Sequence, residues 1–328
     1  MANPAEKFAN EIDIDESAPS AQAAPRPRRP HLYVASADKT DDDTMLGQFI
    51  PIHYHYQMLG QEPRIGGFEQ AIAAVVKPGM KVLELGAGTG VLSYFAARAG
   101  AAKVYAVERI PHVAQAARRF AMKNGVADRV EVVVADATAY LPPEPVDVVV
   151  CEMLHTAMLR EKQLEVIASF KERYLARFGG PLPRFVPEAA IMAVQPVQVD
   201  FVFHGYEAAV PMFLDGSGNG GRVARLAEPA LYSMFQYDAD YASHFRVDHC
   251  AAIETGGTLN ALRFITKNVL AILEEEGRSI DWDMHDLIVP VASPLKVRVG
   301  DVVRIRFRYD AGDSLLALAD SIDGEDVD

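Results

Sequence analysis

The sequence is short of the residues that several common chemistries need. Cysteine occurs twice in 328 residues, at Cys151 and Cys250, which excludes a disulfide framework and a thiolate zinc site. No apolar run approaches the ~20 residues of a membrane span. The first twenty residues, MANPAEKFANEIDIDESAPS, carry charge throughout and lack the apolar stretch of a secretory signal. His53, His55 and His285 show no metal-ligand spacing with any partner, so no metal is expected. Basic residues are outnumbered, 32 Lys and Arg against 45 Asp and Glu, for a net charge of −13. Residues 1–45 hold nine acids and five bases, and residues 320–328 five acids and no base, so the body between them carries about −4 by subtraction. With no basic surface signalled, no nucleic-acid partner is expected. The expectation is a soluble cytoplasmic protein with no membrane partner.

What is present is an alternation of helix and strand. Residues 1–45, ending toward AAPRPRRP and DKTDDD, read as a disordered acidic and Pro-rich tail. Over 46–185 the periods switch repeatedly. FEQAIAAVV is helical, KVLELG a short strand, VLSYFAARAG a helix, KVYAVE a second strand, PHVAQAARRFAMKNG a helix opened by Pro111, VEVVVAD a third strand, and VDVVVC a fourth. REKQLEVIASFKERYLARFGG then reads as a long helix with Leu164, Ile167, Phe170 and Tyr174 on one side. Such alternation with short links predicts an α/β, Rossmann-like parallel sheet. After about 185 the texture becomes period two, as in VQVDFVF and VVRIRFRY. Residues 186–319 therefore read as a mostly β, barrel-like domain with a helical insertion near 222–244, followed by an acidic tail over 320–328.

The chemistry collects at the strand ends. ELGAGTG, Glu84 to Gly90, joins the first strand to its helix, and Gly86, Gly88 and Gly90 let backbone approach a ligand. The fit to a dinucleotide fingerprint is imperfect, because its sixth position is Val91. Glu108 closes the second strand, where a carboxylate can accept both hydroxyls of a ribose, and Asp136 with Ala137 closes the third, at the level of an adenine edge. A glycine loop with acids at two successive strand ends is the layout of class I S-adenosylmethionine methyltransferases, so S-adenosyl-L-methionine is the expected cofactor. Ligands bind at the carboxyl ends of such sheets. After the fourth strand comes CEMLHTAMLRE, which sets Glu152 and Glu161 nine residues apart with His155 between them. Glu161 reads equally well as an acid in a helix's first turn. His155 reads as a general base or as an ordinary loop histidine.

KVLELGAGTGVLSYFAARAGAAKVYAVE resembles the cofactor core of the protein arginine methyltransferases. That family carries a double-E loop after the fourth strand, with glutamates at the spacing of Glu152 and Glu161. HYQMLGQEPRIGGF, residues 55–68, resembles the segment that covers the cofactor in the family. The resemblance implies that His55 and Met58 line the sulfonium end and that Arg64 pairs with the methionine carboxylate. It further implies a β-barrel domain with a dimerisation arm, hence a homodimer, for which ALYSMFQY (230–237) is the candidate surface. The family's Thr-His-Trp loop has its counterpart in Ile280-Asp281-Trp282, making Asp281 and Trp282 candidate substrate residues. The tryptophan is kept, the threonine and histidine are not. Two acceptors therefore stand open, a protein arginine side chain and a small amine- or indole-type metabolite methylated at nitrogen or carbon. A catalytically silent cofactor-binding interaction protein is the non-enzyme alternative.

Overall fold

The computed structural model describes residues 54–215 and 221–326; the expected tail over 1–45 lies outside them. Two helices lead in, α1 (Tyr54–Leu59) and α2 (Glu62–Val75), the second with Pro63 in its first turn and Phe68, Ala71, Ile72 and Val75 buried. The alternation then runs β1 (Lys81–Leu85), α3 (Val91–Arg98), β2 (Lys103–Glu108), α4 (Pro111–Lys123), β3 (Val130–Val134) and β4 (Val148–Cys151). After it come α5 (Gln163–Phe178) and a short fifth strand, β5 (Arg184–Val186). The five strands form one sheet in the order β3-β2-β1-β4-β5, and every pair is parallel.

Being covered on both faces, the central strands read as continuous apolar runs. Val82, Leu83, Leu85, Val104, Val107, Val148 and Val149 are all buried, each contributing about 1.5–3 kcal/mol of transfer free energy. Parallel pairing puts the carboxyl ends of all strands on one edge. The register aligns Leu85 with Val107 and with Cys151, so the loops beginning at Gly86, Arg109 and Glu152 emerge side by side.

The second half is a mostly antiparallel β region. Its strands are β6 (Ala189–Val199), β7 (Val202–Phe203), β8 (Tyr206–Glu207), β9 (Met212–Leu214), β10 (Val223–Arg225), β11 (Ala230–Gln236) and β12 (His244–Ala252). They continue with β13 (Gly257–Leu273), β14 (Arg278–Asp283), β15 (Asp286–Val297) and β16 (Val302–Asp310), then helix α6 (Leu315–Asp320) and β17 (Asp323–Asp326). A seven-stranded sheet follows the path β10-β6-β13-β15-β9, with β11 on β6 and β14 on β13. A second sheet has the order β12-β16-β17, and β7 pairs with β8.

Three expectations change. The segment near 222–244 is not a helical insertion: it holds β10 and β11 and leads into β12. The acidic end is not simply a tail, since Asp323–Asp326 pairs antiparallel with Val303–Arg306 of β16. The long helix α5 begins at Gln163 with Glu165 as its first-turn acid, so Glu161 precedes the helix and its helix-dipole reading falls away. Among the described residues no helix is long and apolar enough to cross a membrane.

Candidate active site

Where the strand ends meet, a cleft is lined by His55, Met58, Arg64, Glu84, Gly86, Gly88, Glu108, Asp136, Ala137, Glu152 and Glu161, among others. These are eleven of the residues singled out in the sequence, drawn from α1, α2, the C-terminal ends of β1 and β2, and the loops after β1, β3 and β4. Four others stand outside it. Gly90 precedes the first turn of α3. His155 turns its ring edge-on to Phe213, at 5.3 Å, and donates from Nδ1 to the Thr156 carbonyl at 3.1 Å. Burial lowers His155 to about 4, so it is neutral at pH 7 and a weak base. Asp281 pairs with Lys267 Nζ at 2.7 Å. Trp282 lies behind the lining, its ring 6.1 Å from Phe68 and 5.4 Å from the Arg64 guanidinium carbon.

The glycine loop is held from both sides. The Gly88 N–H donates to Glu108 Oε2 at 2.9 Å, and the Ile110 N–H to Glu108 Oε1 at 2.7 Å. Glu108, which lines the cleft, is thereby held by one bond on each oxygen. A Cβ at Gly86 would stand 2.9 Å from Met153 Cγ, and one at Gly88 2.7 Å from His55 Cε1, at φ values of 78° and 54°. Only glycine lets Met153 and His55 close down on the loop. Glu84 sits beneath it, accepting the Ser93 N–H at 2.8 Å and the Ser93 hydroxyl; burial raises its carboxyl to about 8 against those two bonds. Asp136 accepts from the Thr138 hydroxyl at 2.6 Å and the Thr138 N–H at 2.9 Å, and those bonds hold it below the usual carboxylate range.

The loop between the two glutamates is tightly built. Gln163 clamps its start, accepting the Met153 N–H at 2.9 Å and donating to the Cys151 carbonyl at 2.8 Å. Its middle is anchored on the β region, the Thr156 hydroxyl donating to the His285 carbonyl and the Ala157 N–H to Thr266 Oγ1, both at 2.8 Å. Ala157, Met158 and Arg160 all have φ between 54° and 61°. Such backbone costs of order 1–3 kcal/mol per residue and persists where surrounding contacts over-determine it.

At the floor of the cleft Arg64 donates to Glu152 Oε2, with the two side chains only 12% and 11% exposed. The other oxygen, Glu152 Oε1, is buried without a protein partner. Burial raises the Glu152 carboxyl while Arg64 opposes the rise. Glu161 is pushed up to about 7, first by burial and then by the charge of Glu152. The Cys151 thiol is pushed well up by burial and is no nucleophile. Among the described residues no group of His, Cys, Asp and Glu is placed to hold a metal.

Sequence reasoning missed Gln163, Thr138 and Thr266. A hydroxyl two residues after Asp136 was the one local signal available, since such residues commonly cap an acid's turn; the other two act through tertiary contacts.

Known proteins resemble this chain in sequence and in fold. A methyltransferase domain family matches residues 82–176. An uncharacterized protein of Methanocaldococcus jannaschii is 34% identical over 145 residues, covering 44% of this chain and 54% of that one. Protein arginine N-methyltransferase 6 of Xenopus laevis is 33% identical over 148 residues, covering 44% and 42%. The chain thus spans about half the length of the curated relatives it matches. The fold is similar to the Trypanosoma brucei PRMT1 enzyme–prozyme heterotetrameric complex with AdoHcy, with a TM-score of 0.65 at 18% identity over 84% of this chain and 98% of that one. It is also similar to Arabidopsis thaliana protein arginine methyltransferase 10, at 0.66 and 18% over 78% and 87%. The chain thus carries a methyltransferase domain over residues 82–176, and it is similar to protein arginine methyltransferases in the sequence of that region and in its fold.

Proposed function

We propose that the protein is an S-adenosylmethionine-dependent methyltransferase that holds a protein arginine side chain between Glu152 and Glu161. The observation that carries the reading is the pair of largely buried carboxylates in the same cleft as Glu108 and the glycine loop, one of them with an unpartnered oxygen. The residues present suit the cofactor. Glu108 would offer its two carboxylate oxygens to ribose hydroxyls, Asp136 and Ala137 would stand at the adenine end, and Arg64, one of the cations lining the cleft, would pair with the methionine carboxylate. When bound, the cofactor supplies an activated methyl on a sulfonium. The protein's own work is alignment and charge. A guanidinium has its lone pair delocalised, and two carboxylates draw its positive charge to one side, leaving the other nitrogen more nucleophilic.

The Glu161 carboxyl gives a pH signature. It must be ionised to hold a cation, and burial with Glu152 beside it raises it to about 7. We expect kcat/KM for the acceptor to climb with pH through about 7 and then level, since that ratio reports the free enzyme. Glu161→Gln should abolish that limb; a flat profile in the wild type contradicts the assignment. Linkage has the opposite sign for the empty fold. A carboxyl raised by folding costs stability as pH climbs from the ordinary carboxylate range through about 7, so thermal stability without ligands should fall across that window.

A second reading, a small amine- or indole-type metabolite as acceptor, is favoured by one feature. At the position of the family's Thr-His-Trp histidine stands Asp281, committed to Lys267. Incubation with methyl-labelled cofactor and either an arginine-bearing peptide or a metabolite extract separates the two readings.

A homodimer is part of the proposal. Leu231 and Met234 of β11 are 59% and 67% exposed, an apolar surface of the kind that marks interfaces. Light scattering at micromolar concentration is expected to give twice the chain mass, and a monomer refutes the dimer.

A further inference from the structure

Glu161 reaches the cleft through strained backbone. Its N–H donates to the Leu159 carbonyl two residues back, at 2.5 Å, and the residue between them, Arg160, has a φ of 61°. This is the γ-turn with a positive φ at its centre, the rare and strained form, and it stands directly before the acid. Met158 is left-handed as well, at 54°. Such backbone persists where neighbouring contacts over-determine it, and here they come from residues 310–314, the turn that links β16 to α6. The Arg160 N–H donates to the Asp313 carbonyl at 2.9 Å, and the Gly312 N–H donates to the Met158 carbonyl at 2.8 Å. These two bonds run in opposite directions and bracket the stretch that delivers Glu161. Gly312 presents its N–H there at a φ of 89°, a conformation glycine adopts without steric cost.

The turn is itself held firmly. The Asp310 N–H donates to Asp313 Oδ2 at 2.7 Å, while the Asp313 N–H donates to the Asp310 carbonyl at 3.0 Å. The Ala311 N–H donates to the Ser243 carbonyl at 2.7 Å. Ser314 then caps α6, accepting the Ala317 N–H at 3.1 Å, and Leu318 of that helix is fully buried. The Asp313 side chain thus closes a turn whose backbone grips the acid loop.

We infer that Asp313 is a positioning residue of the acceptor site: by closing the 310–314 turn it holds Arg160 left-handed and so aims the Glu161 carboxylate into the cleft. This rests on the functional reading above, in which Glu161 must be ionised and fixed to hold the acceptor. Asp313 acts without touching the acceptor, through two backbone hydrogen bonds to the segment before Glu161. When the turn loosens, the γ-turn relaxes and water reaches the Glu161 carboxyl. That carboxyl is raised to about 7 by burial and by Glu152, against Arg160 and Arg64; with water beside it, it falls back toward the ordinary carboxylate range.

The test compares Asp313→Ala, which removes the acceptor that closes the turn, with Asp313→Asn, which removes the charge but keeps an oxygen for the Asp310 N–H. Transfer from methyl-labelled S-adenosylmethionine to an arginine-bearing peptide is followed across the pH window around 7, with S-adenosylhomocysteine affinity measured by calorimetry. We expect Asp313→Ala to lower kcat/KM for the peptide at least about fivefold and to move its rising limb to lower pH, while Asp313→Asn stays within about twofold of the wild type with the limb in place. Cofactor-product affinity should stay within about twofold in both. A kcat/KM for Asp313→Ala within about twofold of the wild type, a limb that does not move, or an Asp313→Asn that falls as far as the alanine overturns the role of Asp313. A wild type that binds S-adenosylhomocysteine and transfers nothing to the peptide overturns the functional reading instead, and this inference with it. Should Asp313→Ala lose S-adenosylhomocysteine binding, Gly312→Ala, which strains the same turn and leaves its side-chain bond in place, is read by the same criteria. Loss of that binding there too overturns the inference, since the turn would then support the whole fold and not one acid.

Discussion

Glu152→Gln is expected to remove nearly all turnover, about 100-fold or more, while S-adenosylhomocysteine binds no more weakly than to the wild type. The size follows from what the carboxylate does. A single preorganised electrostatic group in a water-excluded site is worth about 10²–10³ in rate, and a guanidinium held by one acid of two is left half paired in a buried place. The direction of the cofactor effect follows from Arg64. Its guanidinium is committed to Glu152, and the amide of glutamine releases that cation for the carboxylate of the cofactor. The variant should therefore separate the two halves of the site. Breaking a buried ion pair on one side costs about 3–5 kcal/mol, so a lower melting temperature is part of the expected result. Steady-state kinetics with calorimetry decide it. Retained turnover would remove Glu152 from the chemistry, and a fall in cofactor affinity to match the fall in rate would make it a cofactor residue.

Glu108→Ala is expected to weaken S-adenosylhomocysteine binding by at least about tenfold in a folded protein. Hydrogen bonds to a charged group contribute about 1.5–3 kcal/mol each, and a carboxylate reaching two ribose hydroxyls makes two of them. The same side chain also ties the Gly88 and Ile110 amides, so the alanine loosens the loop that faces the cofactor. Glu108→Gln keeps one oxygen acceptor and should fall between alanine and wild type. Calorimetry on the three proteins, with melting curves to establish folding, gives the series. Equal affinities would take Glu108 out of the site, and tight NADH binding without S-adenosylhomocysteine binding would overturn the whole cofactor assignment.

The half of the cleft proposed for the cofactor was legible in the sequence because short-range rules bring its residues together. Strand ends in a parallel sheet share one edge, so a glycine loop after β1, an acid ending β2 and acids after β3 and β4 meet whatever the rest of the chain does. The acceptor half was less legible because it depends on side-chain parity in the β region. Asp281 and Trp282 are neighbours in sequence, yet on β14 they face opposite ways. Only Trp282 stands behind Arg64, while Asp281 joins Lys267. The misread segment near 222–244 has a local cause. A register shift between Leu231 and Ser233 breaks the period-two alternation of β11. Apolar residues then fall at 231, 232, 234 and 235, a spacing that imitates a helical face. Glu161 was ambiguous because REKQLEV holds two acids four residues apart, Glu161 and Glu165, and either can stand in the first turn of the helix that follows. The structure resolves it by beginning α5 at Gln163.

The most direct test of the central claim is label transfer from methyl-labelled S-adenosylmethionine to an arginine-bearing peptide, run with wild type and with Glu161→Gln. The site predicts label on a guanidinium nitrogen with the wild type and loss of nearly all of it with the variant, at unchanged S-adenosylhomocysteine affinity. Near-full transfer by Glu161→Gln, or no transfer by a wild type that binds S-adenosylhomocysteine, would contradict a guanidinium held between two carboxylates.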